Sequence, residues 1–190
     1  MVVSSAPRKL TYQDFLRFPE DGKRHEILDG VHVVSPAPFV RHQLLVVKLS
    51  SWLHVFVEKT RLGKVLVAPT DVLLSKNDIV EPDLFFISAS RAAILQEKNI
   101  QGAPDLVIEI LSPSTRRRDL STKRVRYELL GVLEYWVLDP ERDTATVFRR
   151  AEEKDAHFEP PLLLAAEGGD RLTSPLLPGL RIELRKLFAL

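Results

Sequence analysis

The sequence predicts a mixed α/β domain, in which a central mixed β-sheet is flanked by helices. Residues 105–111 are apolar on both faces of an extended chain, which is typical of a central strand covered on both sides. Apolar residues recur at helical spacing over residues 39–61, which indicates a long amphipathic helix. The order of helix, strands, central strand, helix and strand favours the α/β or α+β class.

Composition limits the possible classes of protein. The chain has 190 residues, 45% of them hydrophobic, which favours a single domain over residues 1–190, with residues 151–190 as a C-terminal extension. The net charge of +1 excludes a histone-like polycation, and the absence of cysteine excludes disulfide frameworks, thiol nucleophiles and zinc fingers. The sequence shows no secretory signal or membrane span, so we expect a soluble cytoplasmic protein.

Local patterns predict the remaining elements. An Asp29-Gly30 pair between two β-rich runs indicates an N-terminal β-hairpin, and Gly63 is expected to close the long helix. The other elements predicted are helices over residues 12–18, 89–98, 119–130 and 184–188, and strands over residues 65–67, 72–74, 84–87, 134–138, 144–149 and 180–183. Residues 151–170 are expected to form a surface excursion.

Two carboxylates on the predicted strands indicate a metal site. Glu109 lies in the middle of the apolar strand, where an ionised carboxylate is costly unless a cation compensates it. Asp83 begins another apolar strand. If the two strands pair, both carboxylates meet on the sheet and offer hard oxygen ligands to Mg²⁺ or Mn²⁺.

The helix after Glu109 carries further polar residues at intervals of four. Asp119, Lys123 and Tyr127 fall near one face, and apolar neighbours indicate that Lys123 and Tyr127 point inward. An inward lysine requires a carboxylate or an anionic ligand beside it. Asp119 has a second interpretation, as a helix brace paired with Lys123 at the i to i+4 spacing.

A basic segment at the start of this helix indicates a polyanionic substrate. Residues 116–126 hold six basic residues and one acidic residue in a nearly neutral protein. Arg116, Arg117 and Arg118 lie beside the predicted carboxylate and lysine site, as binding of a phosphodiester backbone requires. The alternative is a solvated helix start, although arginines there oppose the helix dipole.

Several motifs together resemble one known family. They are Glu26-Ile27-Leu28-Asp29-Gly30, Glu81-Pro82-Asp83, residues 104–115, Asp119, Lys123, Tyr127, Gly131-Val132 and residues 134–140. In order and spacing they resemble the Uma-type endonuclease family of the restriction-endonuclease-like PD-(D/E)XK nuclease superfamily. The resemblance runs from about Tyr12 to Asp139.

The resemblance implies a restriction-endonuclease-like fold and a metal-dependent nuclease mechanism. Asp83 and Glu109 would bind Mg²⁺ or Mn²⁺, Lys123 would orient the attacking water or offset charge on the phosphate, and Glu26 would assist from the hairpin. Tyr127 and Asp119 would position these residues without contacting the metal or the substrate themselves. The superfamily places its lysine two residues after the strand glutamate, where this chain has Leu111, so the role passes to Lys123.

Three functions remain open. The first is a Mg-dependent endonuclease that hydrolyses DNA. The second is a catalytically idle nucleic-acid-binding or assembly module on the same fold, because fold does not guarantee chemistry. The third is a structural homodimer that associates through residues 176–180, Leu187 and Phe188, although these residues are equally suited to covering the domain's own core. Glu26 also has a simpler interpretation, as a solvated residue before a hairpin.

Overall fold

The computed structural model describes residues 8–189. The helical segments are α1 (Tyr12–Phe15), α2 (Val40–Thr60), a 3-10 helix (Ala89–Ile94), α3 (Arg116–Arg118), a π-helical segment (Asp119–Lys123), α4 (Arg124–Leu129) and α5 (Leu184–Phe188). The strands are β1 (Arg24–Leu28), β2 (Val31–Ser35), β3 (Gly63–Val67), β4 (Val72–Ser75), β5 (Asp78–Val80), β6 (Leu84–Ser88), β7 (Ile100–Gln101), β8 (Leu106–Ile110), β9 (Glu134–Asp139), β10 (Thr144–Arg149), β11 (Leu162–Ala165), β12 (Arg171–Ser174) and β13 (Leu177–Glu183).

A six-stranded mixed sheet forms the centre of the fold, in the order β11-β10-β9-β8-β6-β3. Strand β8 runs parallel to β9 and antiparallel to β6, and all five of its residues are buried. The prediction of a central strand covered on both faces is therefore confirmed.

The two faces of this sheet bury different side chains because successive residues of a strand point to opposite sides. Ile108 and Trp136 belong to one core cluster, together with Leu45 and Leu49 of α2. Val107 and Tyr135 belong to a second cluster on the other face, together with Tyr127 of α4. Glu109, which follows Val107 by two residues, shares its face, as the alternation predicts.

The N-terminal hairpin is part of a second sheet. Strands β1 and β2 pair through a turn at Asp29 and Gly30, whose φ angles of 51° and 80° suit an Asp-Gly hairpin turn. The order of this sheet is β2-β1-β5-β4-β7. The short strand β5, which the sequence analysis missed, joins the hairpin to the rest of the molecule by pairing with β1.

The predicted range of the long helix is close to that of α2, but the residue that closes it is different. Helix α2 ends at Thr60, and its C-cap is Arg61, in the left-handed conformation with φ 58°, and not Gly63. Gly63 instead begins β3, where a Cβ would lie 2.0 Å from the carbonyl oxygen of Ile87 on the neighbouring strand. The helix predicted over residues 89–98 is a 3-10 helix that ends at Ile94.

The C-terminal part of the chain adds more structure than predicted. Strand β11 extends the six-stranded sheet, so the prediction of a surface excursion over residues 151–170 is wrong for this part. Leu177, Leu187 and Phe188 are buried in the core cluster under α2, so they cover the protein's own core. Within residues 8–189, no helix is both long and apolar enough to cross a bilayer.

Candidate active site

The pairing of β6 with β8 places Asp83 beside Glu109. Leu84 lies opposite Ile108 in this antiparallel ladder, so Asp83, one residue earlier, faces the position of Glu109. Asp83 also accepts a 2.8 Å hydrogen bond on Oδ2 from the backbone N–H of Ile110. The predicted meeting of the two carboxylates on the sheet is thus present in the structure.

Asp83 is held by two residues that the sequence analysis did not place in the site. Arg24 Nη1 donates to Asp83 Oδ1 at 2.8 Å, and His42 Nε2 lies 3.0 Å from Oδ2. Burial opposes the ionisation of Asp83, but the hydrogen bond from His42 and the charge of Arg24 outweigh it and lower its pKa to about 2. Asp83 is therefore an ionised carboxylate although its side chain is only 2% exposed.

A sequence signal for His42 existed. His42 precedes Leu45, Leu49, Leu53 and Val57, and these residues share the buried stripe of α2. A polar residue in the first turn of an apolar stripe is carried to the edge of the buried face, where it meets the sheet. The sequence analysis did not assign His42 to the site.

Lys123 lies between two buried carboxylates. Its Nζ donates to Glu109 Oε1 at 2.8 Å and lies 2.8 Å from Glu26 Oε1. Tyr127, one helical turn later, donates its hydroxyl to the same Oε1 of Glu109 at 2.7 Å. Glu109 and Lys123 are each 1% exposed, so Glu26, Glu109 and Lys123 form a buried charged cluster, with Tyr127 beside it.

Glu26 brings the hairpin into this cluster. It is fully buried, and its Oε1 also accepts a 3.0 Å hydrogen bond from the backbone N–H of Glu81. The alternative interpretation of Glu26 as a solvated surface residue is therefore wrong. Its second oxygen, Oε2, is buried and has no hydrogen-bond partner among residues 8–189.

One ammonium is shared by two buried carboxyl groups in this cluster. Burial, opposed by Lys123 and reinforced by Asp83, raises the pKa of Glu109 to about 8. Burial disfavours the charged lysine, but Glu109, Glu26 and Asp119 outweigh this effect and raise the pKa of Lys123. The site therefore holds one more carboxyl group than its lysine compensates, and the raised pKa of Glu109 favours its protonated form at neutral pH.

The π-helical segment sets the position of Lys123. π-helical turns inside α-helices are rare and are frequent at functional sites. Asp119 begins this segment, and its backbone carbonyl accepts a 3.1 Å hydrogen bond from the hydroxyl of Tyr135. No ion pair between Asp119 and Lys123 is present within residues 8–189, so the structure does not show the predicted helix brace.

The three arginines of the basic segment have different environments. Arg118 reaches the site, where it donates to the hydroxyl of Ser35 and lies 4.0 Å from carboxylate oxygens of both Glu26 and Asp119. Arg117 is exposed. Arg116 is tied to the end of β9 by two hydrogen bonds of 2.7 Å to Asp139, with a third of 3.0 Å to Glu141.

The site opens into a cavity of about 350 Å³. Its polar surface includes Asp83, Glu109, Asp119, Lys123 and Arg118, so the cavity joins most of the predicted site residues. Within the described residues 8–189, no group of three or more His, Cys, Asp or Glu side chains is arranged to hold a metal ion. The ligands that the site offers are the two neighbouring carboxylates, Asp83 and Glu109.

A mixed sheet with two acidic residues facing each other on neighbouring strands, and a lysine from the following helix beside them, fits the restriction-endonuclease-like class of fold. The family model described as "Uma2: Putative restriction endonuclease" matches residues 12–185, and the chain belongs to this family. The match continues past Arg150, beyond the end of the resemblance found in the sequence. A search of the curated proteins finds no match.

A solved structure has the same fold. It is a crystal structure described as "a putative nuclease belonging to DUF820" from Anabaena variabilis, which is 21% identical in sequence and superimposes with a TM-score of 0.78. The similarity covers 95% of this chain and 98% of that chain. The predicted fold class is therefore confirmed, including the hairpin and the central mixed sheet.

We expect the lysine substitution K123M to destabilise the protein strongly, because it leaves Glu26 and Glu109 buried without their cation. The free energy of unfolding at neutral pH should fall by about 3–5 kcal/mol in urea denaturation. Adding E109Q removes one of the two carboxylates, so the double variant should be more stable than K123M alone. K154M, at a lysine 81% exposed, is the control and should change little. Equal stability of K123M and the parent would refute a buried ion cluster.

The pair of Arg116 and Asp139 predicts a pH-dependent contribution to stability. Burial opposes ionisation of Asp139, but its hydrogen bond and charge interaction with Arg116 lower its pKa below the ordinary value of 3.8. A carboxyl group with a lowered pKa stabilises the folded state above its unfolded pKa and loses this effect as the pH falls through the lowered value.

D139N should therefore be less stable than the parent by about 1–2 kcal/mol at neutral pH, and the gap should close as the pH falls below the ordinary aspartate pKa of 3.8. The measurement is urea denaturation from neutral pH into acid. The control is D143N, which breaks the exposed pair of Asp143 and Arg41 and should cost much less. A gap that persists unchanged into acid would show that the ion pair is not its source.

Proposed function

We propose that the protein is a metal-dependent endonuclease that hydrolyses phosphodiester bonds of DNA, with Mg²⁺ or Mn²⁺ as its cofactor. The single observation that carries this proposal is the convergence of Asp83, Glu109 and Lys123 from β6, β8 and the π-helical segment. These are the residue types that metal-assisted hydrolysis requires, namely oxygen ligands beside a cation that faces the reacting phosphate. Membership of the Uma2 family supports the same activity.

The donor atoms of the site fit a magnesium ion. A carboxylate accepts about four hydrogen bonds, and Asp83 uses three, from Arg24, His42 and Ile110. The hydrogen bonds to Glu109 go to Oε1, and none within residues 8–189 uses Oε2. Mg²⁺ keeps several water ligands and is usually held by one or two carboxylates and substrate phosphates, so Asp83 and Glu109 suffice.

The residues around the ligands have distinct tasks in this mechanism. A bound divalent ion polarises the phosphate and lowers the pKa of water. The contacts of Arg24 and His42 keep Asp83 ionised and fixed, while the hydroxyl of Tyr127 orients Glu109. Lys123 holds the attacking water or offsets negative charge on the phosphate in the transition state. Glu26, 2.8 Å from the ammonium of Lys123, fixes that lysine and does not itself bind the metal in this mechanism.

The basic segment supplies contacts to DNA in this proposal. Arg117 is exposed beside the cavity, and Arg118 lines it. Exposed arginines that contact phosphates make binding depend on salt, because counterions are released from the DNA. Arg116 is the third arginine predicted to contact DNA. Its guanidinium donates hydrogen bonds to Asp139 and Glu141 at the edge of the same surface.

The alternative is a catalytically idle nucleic-acid-binding or assembly module on this fold. The observation that favours it is Leu111, which is buried at the position where the superfamily pattern has lysine. The contacts of Lys123 with Glu109 and Glu26 favour the enzyme, because they place an ammonium at the carboxylates from the following helix. The homodimer and the cytoplasmic location stay predictions.

The enzyme and the idle module differ in one measurement. The parent protein with Mg²⁺ or Mn²⁺ should cleave DNA, whereas E109Q should lose at least about a hundredfold of the rate because the substitution removes the charge of a proposed metal ligand. E167Q, at an exposed glutamate, is the matched control and should keep the parental rate. The readout is fragment formation on gels, with folding checked by circular dichroism. Intact DNA after incubation of the folded parent with either metal would favour the idle module.

A further inference from the structure

We propose that the DNA strand to be cut enters the site unpaired, as a single strand, and not as part of an intact duplex. This inference rests on the proposed nuclease function and names the form of its substrate. The feature behind it is the depth at which the reacting groups lie. Asp83 is 2% exposed, and Glu109 and Lys123 are each 1% exposed, at the surface of the cavity of about 350 Å³.

Several separate segments of the chain line this cavity around the carboxylates. One is the chain before and at the start of β1, with Gly22 and Lys23. Another is residues 35–38, at the end of β2 and before α2, with the sequence Ser-Pro-Ala-Pro. A third is the turn after β3, with Ala68 and Pro69, and the first turn of α2 and the chain after β8 complete the lining. A phosphate that binds at the carboxylates therefore enters a recess lined by several segments.

A duplex is poorly suited to this shape. Double-stranded DNA is stiff, with a persistence length of about 50 nm, so neighbouring phosphates and the second strand move with the phosphate to be cut. They would meet the walls before that phosphate reached Glu109. An unpaired strand is flexible enough to bend into the recess and insert one nucleotide, and it avoids the cost of about a few kcal/mol that unpairing a base of a duplex requires.

The chemistry of the walls also suits an unpaired nucleotide. Pro36, Ala37, Pro38 and Pro69 give apolar surface on which an exposed base or sugar can pack. A duplex keeps its bases stacked inside and offers little apolar surface to such walls. Lys23, whose side chain is 55% exposed and pairs with Asp21 at 3.1 Å, lines the cavity and offers its ammonium to the backbone of a strand.

The test compares three forms of one DNA sequence with the full-length protein: a single strand, a blunt duplex, and a duplex with an internal unpaired segment. Binding is measured by fluorescence anisotropy with Ca²⁺ as the metal, and cleavage with Mn²⁺. The single strand should bind at least about tenfold more tightly than the blunt duplex, because the duplex must first unpair. Cleavage of the third substrate should map to its unpaired segment.

A variant that fills the cavity tests whether the single strand binds in this cavity or elsewhere on the surface. A37F should reduce the affinity for the single strand to that for the duplex, because Ala37 lines the cavity. A151F, at an exposed alanine outside the cavity, should keep the preference. Equal or tighter binding of the blunt duplex, or a preference that survives A37F, would overturn the inference. A single-strand preference that A37F abolishes, without cleavage of any substrate, would refute the nuclease function but support entry of an unpaired strand into the cavity.

Discussion

The buried ammonium of Lys123 is the interaction on which the rest of the site depends. It joins three parts of the fold, because its partners Glu26 and Glu109 lie on the hairpin and on the central strand while Lys123 itself lies on the π-helical segment. A lysine that is 1% exposed is stable only when carboxylates replace its water, and buried carboxylates need the cation equally. The hairpin, the central sheet and the helix are therefore held in one relative position by the same charges that would act on a phosphate.

The two faces of the central sheet have different roles, because one packs the hydrophobic core against α2 and the other carries the residues of the candidate site. On one face, β8 and β9 pack Ile108 and Trp136 against α2, and this apolar layer supplies core stability. On the other face, Glu109 follows Val107 into the layer that contains Tyr127 and Tyr135. Tyr127 and Tyr135 pack beside the charged cluster in this second layer, and the cavity gives access to Glu109 and Lys123.

Much of this arrangement was predictable from local pattern. The alternation around Glu109 fixed its face, and the intervals of four placed Lys123 and Tyr127 on an inward surface. The stripe of α2 indicates that His42 lies at the edge of the buried face, but no local pattern shows its contact with Asp83, 41 positions away. The same holds for Arg24, whose importance depends on where Asp83 lies in space. The π-helical segment was also missed, since it depends on tertiary contacts such as the bond from Tyr135 to the carbonyl of Asp119. Strand β5, with three residues, is too short to give a periodic signal.

Binding of a divalent metal by Asp83 and Glu109 beside Lys123 is tested most directly by a crystal structure of the protein soaked in Mn²⁺, with anomalous scattering measured to locate the ion. We expect a strong anomalous peak within about 2.5 Å of oxygens from both Asp83 and Glu109, with Lys123 still adjacent. The absence of a peak at these two carboxylates at saturating Mn²⁺, even with an ion bound elsewhere on the protein, would contradict this binding.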